Sequence, residues 1–240
     1  MIQEIEARFL EKRNLAPAVW LLKFGLLKPK GLEFLAGQYL LLKLNNQRRA
    51  YSIASPNYLK DSFELLVKFV PGGLASTFFK NLKGGEKANF LGPFGFFRLK
   101  SKEKNKIFFA GGTGLAPIRS QILSILKEKN NLPKLILFWG LKKREEVYFF
   151  EELKNLSQKY QNFVFKICLD QEKEFKGLDK NFFFEGRVQM AFLDFLEKSK
   201  ISNLNDFEYY LCGPPAMIVA LKEFLSQKEI KKENIIFEKF

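Results

Sequence analysis

The 240-residue chain contains no histidine and only two cysteines, Cys168 and Cys212. The first absence removes Ser–His–Asp and Cys–His catalysis, His-ligated zinc and His-ligated haem. The second rules out a four-cysteine zinc or iron–sulfur site within these residues and argues against a disulfide framework. Long apolar runs are missing too, and none reaches the length needed to span a bilayer. The N-terminal residues Met1 to Glu6 are acidic and lack the apolar core of a secretory leader, so a cytoplasmic location is expected. With no histidine, chemistry at neutral pH must rest on other side chains or on a bound cofactor.

Arginine is scarce as well: eight of the 40 basic residues, the remainder being lysine. The net charge of +14 suits an acidic partner, either a nucleic acid or a protein. A compositional skew towards Lys, Phe, Ile and Asn explains the same number. No basic run is interleaved with aromatics and no nucleic-acid motif occurs, so no nucleic-acid partner is expected. What the chain does have is 47% hydrophobic residues, enough for a packed fold of one large or two modest domains.

The two halves are patterned differently. Ala18–Phe24, Gln38–Leu44, Ala50–Ala54, Phe63–Val70 and Lys87–Leu91 read as short strands punctuated by Gly, Pro and Asn, as in a small antiparallel barrel. Beyond the charged stretch Lys100–Asn105, compact apolar strands alternate with helical periodicity. Strands are expected at Ile107–Ala110, Leu135–Trp139, Phe163–Leu169, Phe207–Leu211 and Ile235–Phe237. Helices are expected after the first of these, over Val147–Lys159 and Val188–Lys198, and around Ala216–Gln227. Alternation of this kind implies a parallel sheet covered by helices. The expected organisation is therefore an antiparallel β-barrel over residues 1–102 followed by a Rossmann-like α/β domain over residues 103–240.

Three segments carry possible chemistry. Gly111-Gly112-Thr113-Gly114-Leu115-Ala116-Pro117 joins a buried strand to an amphipathic helix. Glycines there let a backbone approach a pyrophosphate, and the helix N-terminus supplies unpaired N–H groups; a tight structural turn is the alternative. Arg49-Ala50-Tyr51-Ser52 begins a strand, placing a phosphate-binding cation and an aromatic ring on one face; a surface arginine beside a core tyrosine is the alternative. Leu211-Cys212-Gly213-Pro214-Pro215-Ala216-Met217 ends a strand at the edge where open α/β sheets bind ligands; a buried cysteine before a turn is the alternative.

In this order the segments resemble the ferredoxin–NADP reductase superfamily over essentially the whole chain. Its flavin signature corresponds to Arg49–Ser55, followed by Gly72-Gly73-Leu74-Ala75-Ser76 and Gly92–Phe97, and its nucleotide motifs to Gly111–Pro117 and Cys212–Met217. The resemblance implies FAD as cofactor and NADH or NADPH as co-substrate. Arg49 would bind the FAD pyrophosphate, Tyr51 would stack on the isoalloxazine, and Ser52, followed by Ile53, would hydrogen-bond near N5. Gly72, Gly73, Leu74, Ala75 and Ser76 would cradle the pyrophosphate at a helix N-terminus. Gly112, Thr113, Gly114 and Pro117 would meet the nicotinamide nucleotide. Cys212, with Gly213, Pro214 and Met217 behind it, would lie near the nicotinamide. Glu238 and Phe240 resemble the family's C-terminal residues near the flavin. Tyr51, Ser52, Cys212 and Glu238 are thus the implied catalytic set.

The implied activity is hydride uptake from NAD(P)H onto FAD and delivery of electrons to a separate acceptor: a ferredoxin, a flavodoxin, an oxygenase component or free flavin. The charge favours an acidic redox protein. A non-catalytic or regulatory electron-transfer subunit of a larger complex is the alternative. NADH is the expected donor, because Asp170 at the end of Phe163–Leu169 would accept from ribose hydroxyls and repel a 2′-phosphate. Lys142, Lys143 and Arg144 offer a competing cationic site. Lys142 also stands where the family pattern aromatic-Gly-x-Arg carries arginine, which keeps the charge and loses the bidentate fork.

Overall fold

The computed structural model describes residues 2–101, 103–128, 132–199 and 201–239. The chain forms two compact units, Met1–Lys100 with Ala116–Lys127 and Ser101–Leu115 with Glu128–Phe240.

The first unit is built on six antiparallel strands: β1 (Gln3–Ala16), β2 (Val19–Lys28), β3 (Tyr39–Leu44), β4 (Gln47–Ser52), β5 (Ser62–Lys68) and β6 (Lys87–Phe94). They follow the order β4-β3-β6-β1-β2-β5. The two edge strands meet through one antiparallel bridge, Ile53 to Leu65, which closes the sheet on itself. Strand β1 was not among the expected strands, although Ile5, Ala7 and Phe9 alternate inward with period two. Charged Glu4, Glu6 and Arg8 alternate with them on the outward face, so the strand signal was present in the sequence and was overlooked. Ala18, expected to begin a strand, instead makes the turn between β1 and β2, with φ at 61°. Phenylalanine fills the barrel: Phe24, Phe63 and Phe90 form a triangle with ring centroids 5.2–5.3 Å apart.

Helix α1 (Leu74–Asn81) lies against this core, with Phe79 in tilted contact with Phe24. Lys12 on β1 donates to the carbonyls of Phe79, Lys80 and Leu82, so a cation satisfies the C-terminal end of α1. Helix α2 (Leu115–Leu126) also belongs to this unit from Ala116 onwards. Arg119 donates to Ala54 O and Glu64 Oε2, each at 2.9 Å, and Ser120 Oγ donates to Ser55 O at 2.6 Å. Gln121 Nε2 donates to Phe97 O at 2.8 Å.

The second unit is a six-stranded sheet: β7 (Asn105–Gly111), β8 (Leu135–Leu141), β9 (Phe163–Leu169), β10 (Phe183–Glu185), β11 (Phe207–Gly213) and β12 (Ile235–Lys239). All pairings are parallel, in the order β10-β9-β8-β7-β11-β12. Helices α3 (Phe150–Lys159), α4 (Val188–Lys198) and α5 (Pro215–Gln227) provide crossovers. The expected helix over Val147–Lys159 starts only at Phe150, because Phe149 sits in the left-handed region at φ 56°. Strand β10, three residues long, was too short for sequence periodicity to reveal.

The order of connection reverses between β7 and β11. Chain growth runs outward through β8, β9 and β10 on one side and through β12 on the other, so the switch point lies at the carboxyl ends of β7 and β11. At the opposite, amino-terminal ends, Lys106 and Glu208 are opposed in register and fully buried, with Nζ 3.7 Å from Oε2. Tyr210 OH donates to the same carboxylate at 2.7 Å, and Lys106 Nζ donates to Lys104 O.

Candidate functional site

In the barrel unit, β4 runs from an exposed start to a buried end. Gln47, Arg48, Arg49 and Ala50 are exposed, Tyr51 is half-buried and Ser52 is buried. Arg49 and Tyr51 lie on one side of the strand. The Tyr51 ring meets Phe79 of α1 edge-on, with centroids 5.3 Å apart. Burial raises the Tyr51 phenol above its ordinary value, with Arg49 opposing, so the hydroxyl is neutral. The Arg49 guanidinium donates to Gln47 Oε1 at 2.6 Å and Arg48 O at 2.9 Å, and keeps exposed N–H groups. Beyond Ser52 the chain is held on both sides. Ile53 N donates to Gln38 O and Ala54 N to Glu64 O. Arg119 and Ser120, not singled out in the sequence, hold the carbonyls of Ala54 and Ser55. No sequence motif marks these two residues; only the packing of α2 brings them there.

The barrel offers four features that FAD would use, the half-buried ring of Tyr51 being the first. Ser52 Oγ is buried and has no hydrogen-bond partner, an arrangement that costs free energy unless a ligand group completes it. The N-terminus of α1 follows the turn Gly72-Gly73 and carries no side-chain cap, so the N–H groups of Leu74, Ala75 and Ser76 lack intrahelical acceptors. The Ser76 hydroxyl already accepts from Val70 N at 2.8 Å, which leaves its backbone N–H as the group for an anion. Arg49, exposed on β4, would supply the counter-charge. A ring stack, a buried hydroxyl, a cation and an open helix N-terminus are the donor set that a flavin with a pyrophosphate requires.

In the sheet unit, the two glycine-rich turns meet at the switch point. A side chain at Gly114 would put its Cβ 2.2 Å from Cys212 O, so only glycine lets the turn after β7 close against the turn after β11. Gly112 adopts φ +53°, and nothing lies within 4 Å of where its Cβ would be. Its carbonyl is fixed from behind by two side-chain donors, Trp139 Nε1 at 3.0 Å and Tyr148 OH at 2.9 Å, and those rings pack edge-on at 4.6 Å. Tyr148 was not anticipated; it lies in the stretch that read as helix. Thr113 is half-buried in the turn and Pro117 occupies the first turn of α2, where it removes no intrahelical donor.

Cys212 is fully buried, opposite Ala110 of β7 and Glu238 of β12. Burial, reinforced by Glu238, raises its thiol well above the ordinary value, so it remains protonated. Gly213 and Pro214 make the turn and Met217 lies in the first turn of α5. Glu238 is half-exposed on β12, and Phe240 lies outside the described residues. Among the described residues no group of three or more His, Cys, Asp or Glu could hold a metal ion. None of the helices among them is long and apolar enough to cross a membrane.

Asp170 follows β9 and is exposed, with Oδ2 3.8 Å from Nε of Arg187, the residue before α4. Arg187 escaped notice in the sequence because only β10 and α4 bring it to the end of β9. Arg144 is engaged by Glu172 at 3.4 Å and by Glu174 O, which leaves Lys142 and Lys143 as the looser cations. The backbone N–H groups of Arg144 and Glu174 hold the Glu172 carboxyl below its usual range.

Comparison with known proteins agrees with this geometry. Residues 6–99 match the oxidoreductase FAD-binding domain and residues 108–223 the oxidoreductase NAD-binding domain. The chain is 33% identical to the phenol hydroxylase P5 protein of Acinetobacter pittii over 100% of its own length and 66% of that protein's. It is 34% identical to the reductase component DmpP of phenol 2-monooxygenase from a Pseudomonas species, over 95% of the chain and 63% of that protein. The chain therefore spans about two thirds of the length of these relatives. Among solved structures, the Amycolatopsis cytochrome P450 reductase GcoB superposes with a TM-score of 0.86 at 26% identity, over 100% of this chain and 70% of that one.

Proposed function

The chain belongs to the FAD- and NAD-binding oxidoreductases of the ferredoxin–NADP reductase type, and from that premise we propose that it takes hydride from NADH and passes the electrons to a separate acceptor protein. FAD, when bound, supplies the two-electron acceptor and the means of releasing electrons to the partner. The protein's part is to bind, orient and exclude water. Residues 1–102 are read as the FAD module and residues 103–240 as the NAD(P) module. Arg49 and the N–H groups of Leu74, Ala75 and Ser76, after Gly72 and Gly73, neutralise the pyrophosphate. Tyr51 offers its ring to the isoalloxazine, and Ser52, with Ile53 behind it, offers a hydroxyl near N5. Gly112, Thr113, Gly114 and Pro117 receive the nucleotide phosphates. Cys212, kept neutral, positions the nicotinamide by contact rather than by covalent attack, backed by Gly213, Pro214 and Met217, with Glu238 beside it.

The observation that carries this reading is the buried, unpaired hydroxyl of Ser52 on the strand that also presents Arg49 and Tyr51. Two cysteines cannot hold a four-cysteine iron–sulfur cluster within these residues, so the electrons leave the flavin for a centre outside them. The relatives named as components of phenol-oxidising systems favour an oxygenase component, with a ferredoxin, a flavodoxin or free flavin as the other acceptor classes. The charge of +14 favours an acidic protein, whose encounter rate would fall with ionic strength. Asp170 favours NADH over NADPH. The two free cysteines and the use of a reduced nicotinamide nucleotide accord with a cytoplasmic setting.

The test is an absorption spectrum of the purified protein followed by anaerobic titration with NADH and NADPH. A flavin band that releases FAD on denaturation and bleaches with about one equivalent of NADH is the expected outcome. A protein that binds no FAD when reconstituted with excess, or whose flavin neither nucleotide reduces, would overturn the proposal.

A further inference from the structure

Strand β4 ends at Ser52, the last residue in register with β3, opposite Tyr39. The chain then runs through the buried residues Ile53, Ala54, Ser55 and Pro56, beyond the β3–β4 ladder, so each backbone group needs a partner of its own. The amides turn to the barrel: Ile53 N donates to Gln38 O at 3.0 Å and Ala54 N to Glu64 O at 2.8 Å. The carbonyls turn to helix α2, where Arg119 donates to Ala54 O and Ser120 Oγ to Ser55 O. Further along, Asn57 N donates to Ser124 Oγ at 3.1 Å. Three polar side chains of one helix thus hold the segment that follows Ser52.

The grip on Ala54 is the tightest of these. Arg119 Nη1 bonds both the Ala54 carbonyl and the Glu64 carboxylate, and the Glu64 carbonyl takes the Ala54 N–H. Glu64 N also donates to Ser55 Oγ at 3.1 Å. One ion pair therefore fixes both polar groups of a single peptide residue. Arg119 is buried, so these charge-assisted bonds are little screened by solvent. Two residues upstream, Ser52 Oγ is buried without a partner. Only the fully buried Ile53, its own N–H bonded, lies between. The place of the Ser52 hydroxyl is then set by where Ala54 is held.

We propose that Arg119 is a positioning residue for flavin reduction: through Ala54 and Glu64 it fixes the end of β4 so that the Ser52 hydroxyl meets the flavin near N5. Ser120 supports it by holding the next carbonyl. Hydrogen bonds to a flavin's ring nitrogens tune its electronics, and such groups must be held to within about 0.5 Å. The inference rests on the FAD reading above and adds to it a residue that acts through Ser52.

The experiment is a double-mutant cycle on the FAD-loaded full chain, Arg119→Met against Ser52→Ala. It is read by stopped-flow flavin reduction at saturating NADH and by the long-wavelength flavin absorption band. Ser52→Ala should slow the limiting rate and shift the band. Arg119→Met keeps an apolar stem and removes the donors. It should slow the limiting rate about tenfold, within the roughly hundredfold that a misplacement of about 1 Å can cost. The band should shift in the same direction, and the NADH concentration for half-saturation should hold. In the Ser52→Ala background Arg119→Met should add little, because the two residues act as one unit. In the flavin-free protein, amide exchange at Ile53 and Ala54 should quicken in Arg119→Met. Ser120→Ala deletes only the bond to Ser55 O and gives the same cycle, with a smaller factor, if Arg119→Met does not fold. Equal slowing with and without the Ser52 hydroxyl, or a lower melting temperature with rate and band unchanged, would overturn the inference and leave the flavin reading intact. Ser52→Ala that alters neither rate nor band would remove the Ser52 role from that reading, and the inference with it.

Discussion

The carbonyl of Gly112 invites a specific perturbation. It accepts from Trp139 Nε1, from Tyr148 OH and from the backbone N–H of Leu115, and these bonds hold the turn after β7 in its positive-φ shape. Tyr148→Phe deletes one oxygen from a buried ring and changes nothing else in its outline. The carbonyl keeps its bonds from Trp139 and from the Leu115 N–H, so no buried acceptor is orphaned, and the loss should stay near the net value of one hydrogen bond, about 0.5–1.5 kcal/mol. If the turn is the phosphate cradle, most of that loss appears as weaker nucleotide binding. The KM for NADH should then rise about 2- to 12-fold, with kcat changed less. Because the cradle meets phosphates common to both donors, the KM for NADPH should rise by the same factor and the donor ratio should hold. FAD content should not change. The assay is steady-state reduction of an artificial acceptor with each donor, alongside thermal unfolding. A variant that melts at a lower temperature while both KM values stay at wild type would show that Tyr148 serves only the core, and the reasoning would fail.

Three other outcomes follow from the same structure. Cys212→Ser should slow flavin reduction in stopped-flow measurements while FAD stays bound. Because burial holds the wild-type thiol protonated, the wild-type rate should show no thiol ionisation through the neutral and mildly alkaline range; an unchanged rate in the variant would remove Cys212 from the mechanism. Asp170→Ser should move the kcat/KM ratio towards NADPH, helped by the Arg187 guanidinium that now lies 3.8 Å from the carboxylate; a ratio that does not move would dismiss Asp170 as the selector. Lys106→Met leaves Glu208 buried without its cation and should cost about 3–5 kcal/mol in denaturant unfolding, most of it restored by adding Glu208→Gln, which still accepts from Tyr210. Burial, with Glu208 opposing, lowers the folded-state value of Lys106, so the native protein sheds that proton before the unfolded chain does. Wild-type stability should therefore gain on the double variant as pH rises through the alkaline range just below the ordinary lysine value. Equal stability of wild type and Lys106→Met would show that the pair is energetically idle.

Much of this protein is legible in its sequence because local physics writes it there. Strand β9 and helix α4 fall where residue spacing put them, over Phe163–Leu169 and Val188–Lys198, since each carries a full apolar period. The change from period two to alternating strands and helices announced a barrel followed by a parallel sheet, and glycines at Gly111–Gly114 marked a turn needing close backbone approach. Strand β1 was legible in the alternation of Glu4, Ile5, Glu6, Ala7, Arg8 and Phe9 and was overlooked, whereas β10 stayed hidden because three residues hold no period. The tertiary structure alone decided which distant groups meet. Glycine at position 114 is required by the Cys212 carbonyl, nearly a hundred residues away. The Gly112 carbonyl finds Trp139 and Tyr148, Asp170 finds Arg187, and Arg119 finds Ala54 and Glu64. Periodicity reports how each segment divides its own residues between core and solvent. It carries no record of which segment supplies the other side of a contact, because that is set by strand order and helix packing across the whole fold.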